Sequence, residues 1–187
     1  QRKMFGFNGD YRPRFLNFAN YVFDGSIFEI FATLTAGGTV CVPNDEQRMQ
    51  QTAAFMEEAR VDCAILAPSF ARTVDPDSVP TLRKLMTAGE APGKDIMDAW
   101  LGRVTLINGY GPSETCICCA AHEFTSPDTP AATIGRGLSH VNWIVEPNDH
   151  NKLTPVGQIG ELLVQGHAMA RGYVNDPEKT ANAFITN

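Results

Sequence analysis

The residues 107–114, Ile107-Asn108-Gly109-Tyr110-Gly111-Pro112-Ser113-Glu114, hold the densest potential chemistry of the chain. An apolar run from Val104 to Ile107 leads into them. The turn then offers an aromatic ring, open backbone, a hydroxyl and a carboxylate. At the end of a buried strand such a turn would face a crevice, where open α/β sheets bind their ligands. Tyr110 could stack on a planar base, and Ser113 and Glu114 could meet a phosphate-bound Mg²⁺. A strand followed by an ordinary Gly-Pro turn would read the same way in these eight residues. Asp24 is the second candidate. It sits between apolar Phe23 and Ser26, where a carboxylate can either cap a helix or meet a cationic substrate group. A carboxylate of the second kind discriminates, because a substrate without the cation leaves it unpaired.

The elements that must position these groups alternate. Residues 14–19 read as a strand, and Ser26 with Glu29 reads as a capping box opening a helix that Gly37-Gly38 stops. Residues 39–42 form a short β-rich run, and 47–60 are expected to form one helix. Strands are expected at 63–66, 85–88 and 104–108, with a helix at 94–101. This alternation predicts βαβ units and a parallel sheet. The texture changes near Thr125-Ser126-Pro127-Asp128-Thr129-Pro130, beyond which strand-like runs are separated only by turn signals. The expected fold class is therefore α/β, a mainly parallel sheet with flanking helices, followed by a smaller β-rich portion. The expected units are 1–129 and 130–187.

Bulk properties exclude several classes. The chain has 187 residues, 43% of them hydrophobic, enough for a real core. Its net charge of −6 without a basic cluster argues against nucleic acid as a partner. No apolar run approaches the roughly 20 residues of a membrane span, and no signal peptide opens the chain. Cys116, Cys118 and Cys119 crowd together without a second ligand pair at zinc spacing, and Cys41 and Cys63 lie in apolar runs. Reduced thiols and a cytoplasmic location are expected. The histidines, at 122, 140, 150 and 167, are scattered and suggest no metal or triad site.

Four ordered motifs carry a resemblance. Residues 107–114 resemble the adenine and magnesium motif of adenylate-forming enzymes. Phe23-Asp24-Gly25-Ser26 resembles the amino-acid anchor of nonribosomal peptide synthetase adenylation domains, and Thr87-Ala88-Gly89-Glu90-Ala91 their adenine-side loop. Gly160-Glu161-Leu162, through Gly166, to Ala170-Arg171-Gly172-Tyr173 resembles a further signature. The resemblance covers nearly the whole chain. It implies α/β subdomains beside a distorted β-barrel, and a reaction that forms aminoacyl-AMP from ATP and an amino acid. It implies Mg²⁺ on Glu114, the catalytic acid. Gly89, Glu90, Ala91, Asn108, Tyr110, Gly111 and Ser113 would form the nucleotide pocket, with Tyr110 flanking the adenine. Asp24 would pair with the substrate ammonium. Gly25, Phe28, Ile65, Met86, Ala88, Gly109, Ile117 and Cys118 would line an uncharged, roomy side-chain pocket suited to a large apolar or aromatic amino acid.

The same resemblance implies partners: a peptidyl carrier domain bearing phosphopantetheine, and condensation domains of the same assembly line. It also implies a phosphate loop ending in Lys-Gly, a ribose-gripping Asp and a C-terminal lysine, none of which these 187 residues contain. The chain opens Gln1-Arg2-Lys3 and closes Ile185-Thr186-Asn187, so both ends are expected to be cut from something longer, and the isolated chain is expected to be inactive. Two other readings stay open. An acyl-CoA or aryl-acid ligase would share the Gly-Tyr-Gly and Gly-Glu motifs. A non-catalytic binding module would need no chemistry.

Overall fold

The computed structural model describes residues 5–7 and 9–185. The terminal residues Gln1, Arg2, Lys3, Thr186 and Asn187 lie outside the described residues. A seven-stranded sheet has the order β2-β1-β3-β4-β5-β6-β7. Its members are β1 (Arg14–Leu16), β2 (Thr39–Cys41), β3 (Cys63–Leu66), β4 (Lys84–Thr87), β5 (Thr105–Tyr110), β6 (Ala120–Glu123) and β7 (Arg136–Gly137). The first five are mutually parallel; β6 pairs antiparallel with β5, and β7 antiparallel with β6. A separate antiparallel sheet, β10-β8-β9, is built from β8 (Val141–Glu146), β9 (Asp149–Leu153) and β10 (Glu161–Gln165). The expected α/β class with a mainly parallel sheet and a smaller β-rich portion is therefore observed.

Strand alternation divides the core in two. Leu16, Ala64, Leu85 and Leu106 point to one face, where Met56, Ile96, Met97 and Trp100 cover them. Their neighbours Phe15, Cys63, Met86 and Ile107 point to the other, against Phe5, Phe7, Phe28 and Cys118. Both faces are covered, which is why these parallel strands read as unbroken apolar runs. The first face is covered by helices α4 (Thr52–Glu58) and α6 (Lys94–Trp100). The second is covered by a helical stretch of three parts: α1 (Asp24–Ile27), a π-helical turn (Phe28–Ala32) and α2 (Thr33–Thr35).

Several expected boundaries move. β1 ends at Leu16 rather than residue 19: beyond it the Asn17 amide and the Ala19 N–H donate to the Glu29 carboxylate. The Ser26–Glu29 capping box does not form. The residue before α1 is Phe23, whose carbonyl accepts the Ser26 hydroxyl at 2.8 Å. Glu29 is instead fully buried: its carboxylate accepts the Asn17 amide at 2.8 Å and the Ala19 N–H at 3.1 Å. The single helix expected over 47–60 is two, α3 (Asp45–Met49) and α4. A true capping box opens α3, with Gln47 N–H donating to Asn44 Oδ1 at 2.8 Å and Asn44 N–H to Gln47 Oε1 at 3.0 Å. The remaining short helices are α5 (Pro68–Ala71) and α7 (Pro177–Ala183). No helix among the described residues is long and apolar enough to cross a membrane.

Candidate functional site

Two cavities open where the parallel strands end. The larger, about 710 Å³, is walled by short pieces of many elements. Phe18, Ala19 and Asn20 follow β1, Ala67 follows β3, and Ala88 and Gly89 follow β4. Asp24 and Gly25 open α1, and Ile117 and Cys118 lie between β5 and β6. The smaller, about 380 Å³, has Gly89, Glu90 and Ala91 on one side and Asn108, Gly109 and Tyr110 on the other, with Ala132 and Ile134 near them. Gly89, Gly111 and Pro112 line both. Of the nucleotide-pocket residues expected from the resemblance, Gly89, Glu90, Ala91, Asn108, Tyr110 and Gly111 line this smaller crevice, and Ser113 lines the larger cavity.

The smaller crevice is mostly backbone. Gly89 has φ +85°, a conformation that a side chain would strain. Tyr110 is 41% exposed, so its ring is open to a planar ligand. The polar side chains here are already engaged. Buried Asn108 donates from Nδ2 to Thr133 O at 3.0 Å. The Glu90 carboxylate accepts the Ser69 N–H at 3.1 Å and its hydroxyl at 2.7 Å, at the start of α5. These bonds hold its carboxyl below the usual range. Glu90 is thus a cap for α5 as well as a wall of the crevice.

Asp24 does not cap its own helix. Its Oδ2 reaches across to accept the Ile117 N–H at 2.9 Å. Of the side-chain pocket expected from the resemblance, Gly25, Ile65, Met86, Ala88, Ile117 and Cys118 line the larger cavity with Asp24. Phe28 stands behind it, buried among Phe5, Phe15 and Met86. Gly109 lines the smaller crevice instead, and a Cβ there would sit 2.8 Å from Met86 Sδ. Burial pushes the Cys118 thiol up to about 12, so it lines the cavity as a neutral apolar group.

Ser113 lines the larger cavity. Glu114 lies beside it in the helical turn Ser113–Thr115. Its Oε1 accepts the Tyr173 hydroxyl, and its carbonyl accepts the Ala170 N–H at 2.7 Å. The Tyr173 bond is the main reason the Glu114 carboxyl lies below its ordinary range. Lys179 Nζ sits 4.0 Å from the Tyr173 ring centroid. The turn after β5 is therefore clasped by the segment that follows β10.

The sequence profile of the AMP-binding enzyme family matches residues 2–174. This chain belongs to that family. It is 49% identical over 173 residues to the N-benzoylphenylalaninol synthetase apmA of Penicillium brevicompactum, covering 92% of this chain and 7% of the relative. Among solved structures, PA1221, an NRPS protein containing adenylation and PCP domains, superposes with TM-score 0.85 at 27% identity. That match covers 98% of this chain and 40% of PA1221. The Vibrio cholerae adenylation domain AlmE, in complex with glycyl-adenosine-5′-phosphate, matches with TM-score 0.82 at 26% identity. That match covers 94% of this chain and 36% of AlmE. The chain thus spans less than half the length of each. The resemblance to nonribosomal peptide synthetase adenylation domains, drawn from four motifs, is shared by these relatives over more than nine-tenths of the chain.

Sequence reasoning missed several residues at these cavities or behind their walls, four of which matter for the geometry. Arg48 and Met49, from α3, line the larger cavity, so the wall carries a cation. No local pattern marks them, because α3 meets the cavity only through the sheet order. Glu29 was read as a cap, although an acid inside an apolar helix stretch was a usable signal of burial. Tyr173 lay within a quoted motif, but its pairing with Glu114, 59 residues away, is a tertiary fact.

Proposed function

We propose that this chain forms the adenine and amino-acid walls of an ATP-dependent amino-acid adenylating ligase. The reaction joins the substrate carboxylate to the α-phosphorus of ATP. One carboxylate oxygen forms the new O–P bond as the bond to the pyrophosphate oxygen breaks. Pyrophosphate leaves, and aminoacyl-AMP remains. One observation above all supports this reading: a base-sized crevice and a side-chain-sized cavity share Gly89, Gly111 and Pro112. A ligand with a planar base at one end and an amino acid at the other would have its reacting atoms at that seam. AlmE, which carries such a ligand, supports the same reading.

Tyr110 would flank the adenine, with the Gly89–Ala91 backbone opposite. Asp24 would oppose the ammonium. Ile65, Met86, Ile117 and Cys118 would contact a large apolar or aromatic side chain, and the name of the Penicillium relative points to a phenylalanine-derived group in its own product. No three His, Cys, Asp or Glu side chains converge on one point among the described residues. Glu114, held charged by Tyr173, would help hold Mg²⁺, with phosphate oxygens and water contributing to the shell. Bound there, the ion would screen phosphate charge. The aminoacyl group would pass to a phosphopantetheine thiol on a carrier domain, with condensation domains as further partners. We also propose the division into units 1–129 and 130–187, and a cytoplasmic location. The latter is supported by buried Cys41, Cys63, Cys118 and Cys119, which form no disulfide.

ATP–pyrophosphate exchange in the complete domain tests the reading. Exchange is expected with an α-amino acid and not with its α-hydroxy analogue. Exchange with the hydroxy or an aryl acid alone would favour the acyl-CoA or aryl-acid ligase. No exchange with any acid would favour a binding module.

A further inference from the structure

The loop that closes one wall of the larger cavity is strained. Cys116 has φ +59° and Ile117 φ +73°, two successive non-glycine residues in the left-handed region. For a β-branched residue such a φ is a genuine outlier. The Cys118 N–H donates to Cys116 O at 3.1 Å across Ile117, which makes a γ-turn of the rare positive-φ kind. Backbone strain of this sort persists only where the surroundings over-determine it. Two neighbours fix the turn's exit. The Cys119 N–H donates to Tyr110 O at 2.9 Å. Gly111 packs so closely that a Cβ would lie 2.5 Å from Ile117 O. The turn's apex is held by a third, the Asp24 carboxylate on the Ile117 N–H, 93 residues away in sequence.

We propose that Asp24 is a positioning residue for the Ile117 turn, and so for the Ile117–Cys118 wall, in addition to any counter-charge it offers a substrate. The counter-charge role rests on the function proposed above; the positioning role does not. The two use different oxygens. Oδ2 is on the Ile117 N–H, and among the described residues no hydrogen bond engages Oδ1, the oxygen we assign to a cation. Substitution can therefore separate them. Asp24→Asn keeps an acceptor oxygen and removes the charge. Asp24→Ala removes both. Ile117→Gly keeps the N–H and removes the strain at position 117, because glycine enters the left-handed region freely, while Cys116 keeps its φ of +59°.

The test is amide hydrogen exchange at Ile117 in this chain, followed by NMR without substrate. Asp24→Ala should speed exchange there about tenfold, the loss of one hydrogen bond to a charged group. The amides of Leu85 and Leu106 in the core should keep the parent rate. Asp24→Asn, whose neutral amide oxygen still accepts, should speed Ile117 exchange clearly less than Asp24→Ala does. If Asp24→Ala does not fold, the Asp24→Ala/Ile117→Gly double variant should, because the β-branched residue, the larger source of strain in the turn, is gone. Ile117 exchange unchanged by Asp24→Ala, equal acceleration by Asn and Ala, or failure of the double variant to fold would overturn the proposal. In the complete domain, Asp24→Asn should lower activation of all amino acids while keeping their KM ranking, and Asp24→Ala should also change the ranking. A parent that activates no amino acid would end the functional reading, and the Ile117 exchange rates would still decide the positioning role.

Discussion

The two cavities at the strand ends share a seam but are built differently. The smaller crevice is made of backbone and of side chains whose polar atoms are already bonded, such as Asn108 to Thr133 and Glu90 to Ser69. The larger is made of side chains from the stretch after β1, from α1, α3, β3 and β4 and from the Ile117 turn, brought together by the sheet order. A site that binds one constant group can be fixed by glycines and main chain. A site that must select among side chains needs walls that substitution can change without moving the sheet. The predictions below either break this contrast or sharpen it.

The largest effect is expected at Asp24. In the complete domain, Asp24→Ala should lower kcat/KM for an α-amino acid by about 1000-fold, since truncating one member of a buried charge pair leaves the other unpaired. ATP binding, measured by titration, should hardly change. Equal loss of ATP binding would mean that the two cavities are not separately built.

Glu29 tests the wall behind Asp24. Its carboxylate anchors Asn17 and Ala19, next to Phe18 and Asn20 of the cavity lining. Burial raises its pKa from the ordinary 4.5 to about 7, offset in part by those hydrogen bonds. The folded state therefore holds this proton more tightly than the unfolded chain. Stability should be fully present below about pH 4.5 and fall as pH rises toward 7. Glu29→Gln does not titrate and should flatten this fall, which amounts to about 2–3 kcal/mol. Denaturant unfolding at pH 5 and pH 8 checks it. Parallel pH profiles for parent and variant would contradict the assignment.

Two smaller effects bear on each side of the seam. Glu114→Gln should raise the Mg²⁺ concentration needed for exchange by about 10- to 100-fold, a neutral amide being a poor ligand for a hard cation. A magnesium titration of the exchange rate measures it. Met86→Ala should shift preference toward a bulkier side chain by about tenfold, the order of one or two methylenes in an apolar pocket. Competition between two substrates of different size gives the ratio. A change in apparent ATP affinity in place of that ratio would place Met86 on the wrong side of the seam.

The sequence and the structure agree where main chain does the work. The central strands were legible because Cys63–Leu66, Lys84–Thr87 and Thr105–Tyr110 are buried on both faces and read as apolar runs. The crevice was legible because Gly89, Tyr110 and Gly111 sit in contiguous motifs at strand ends. The misreadings fall where distant groups compete with local rules. The Ser26–Glu29 spacing fits a capping box, but burial beside Asn17 captured Glu29 first. The helix expected over 47–60 breaks where Gln50 (φ −120°) and Gln51 (φ −128°) leave the helical region, and the Thr52 hydroxyl donates to Arg48 O at 2.5 Å across the break. Arg48, Met49 and the Tyr173–Glu114 bond depend on tertiary placement, which no local pattern encodes.

The most direct test of the two-cavity account is a crystal structure of the complete domain with a non-hydrolysable aminoacyl-adenylate analogue. The adenine should lie between the Tyr110 ring and the Gly89–Ala91 backbone. The ammonium should meet Asp24 Oδ1, and the side chain should rest against Met86 and Ile117. An adenine in the larger cavity, or an amino-acid side chain outside it, would contradict the account.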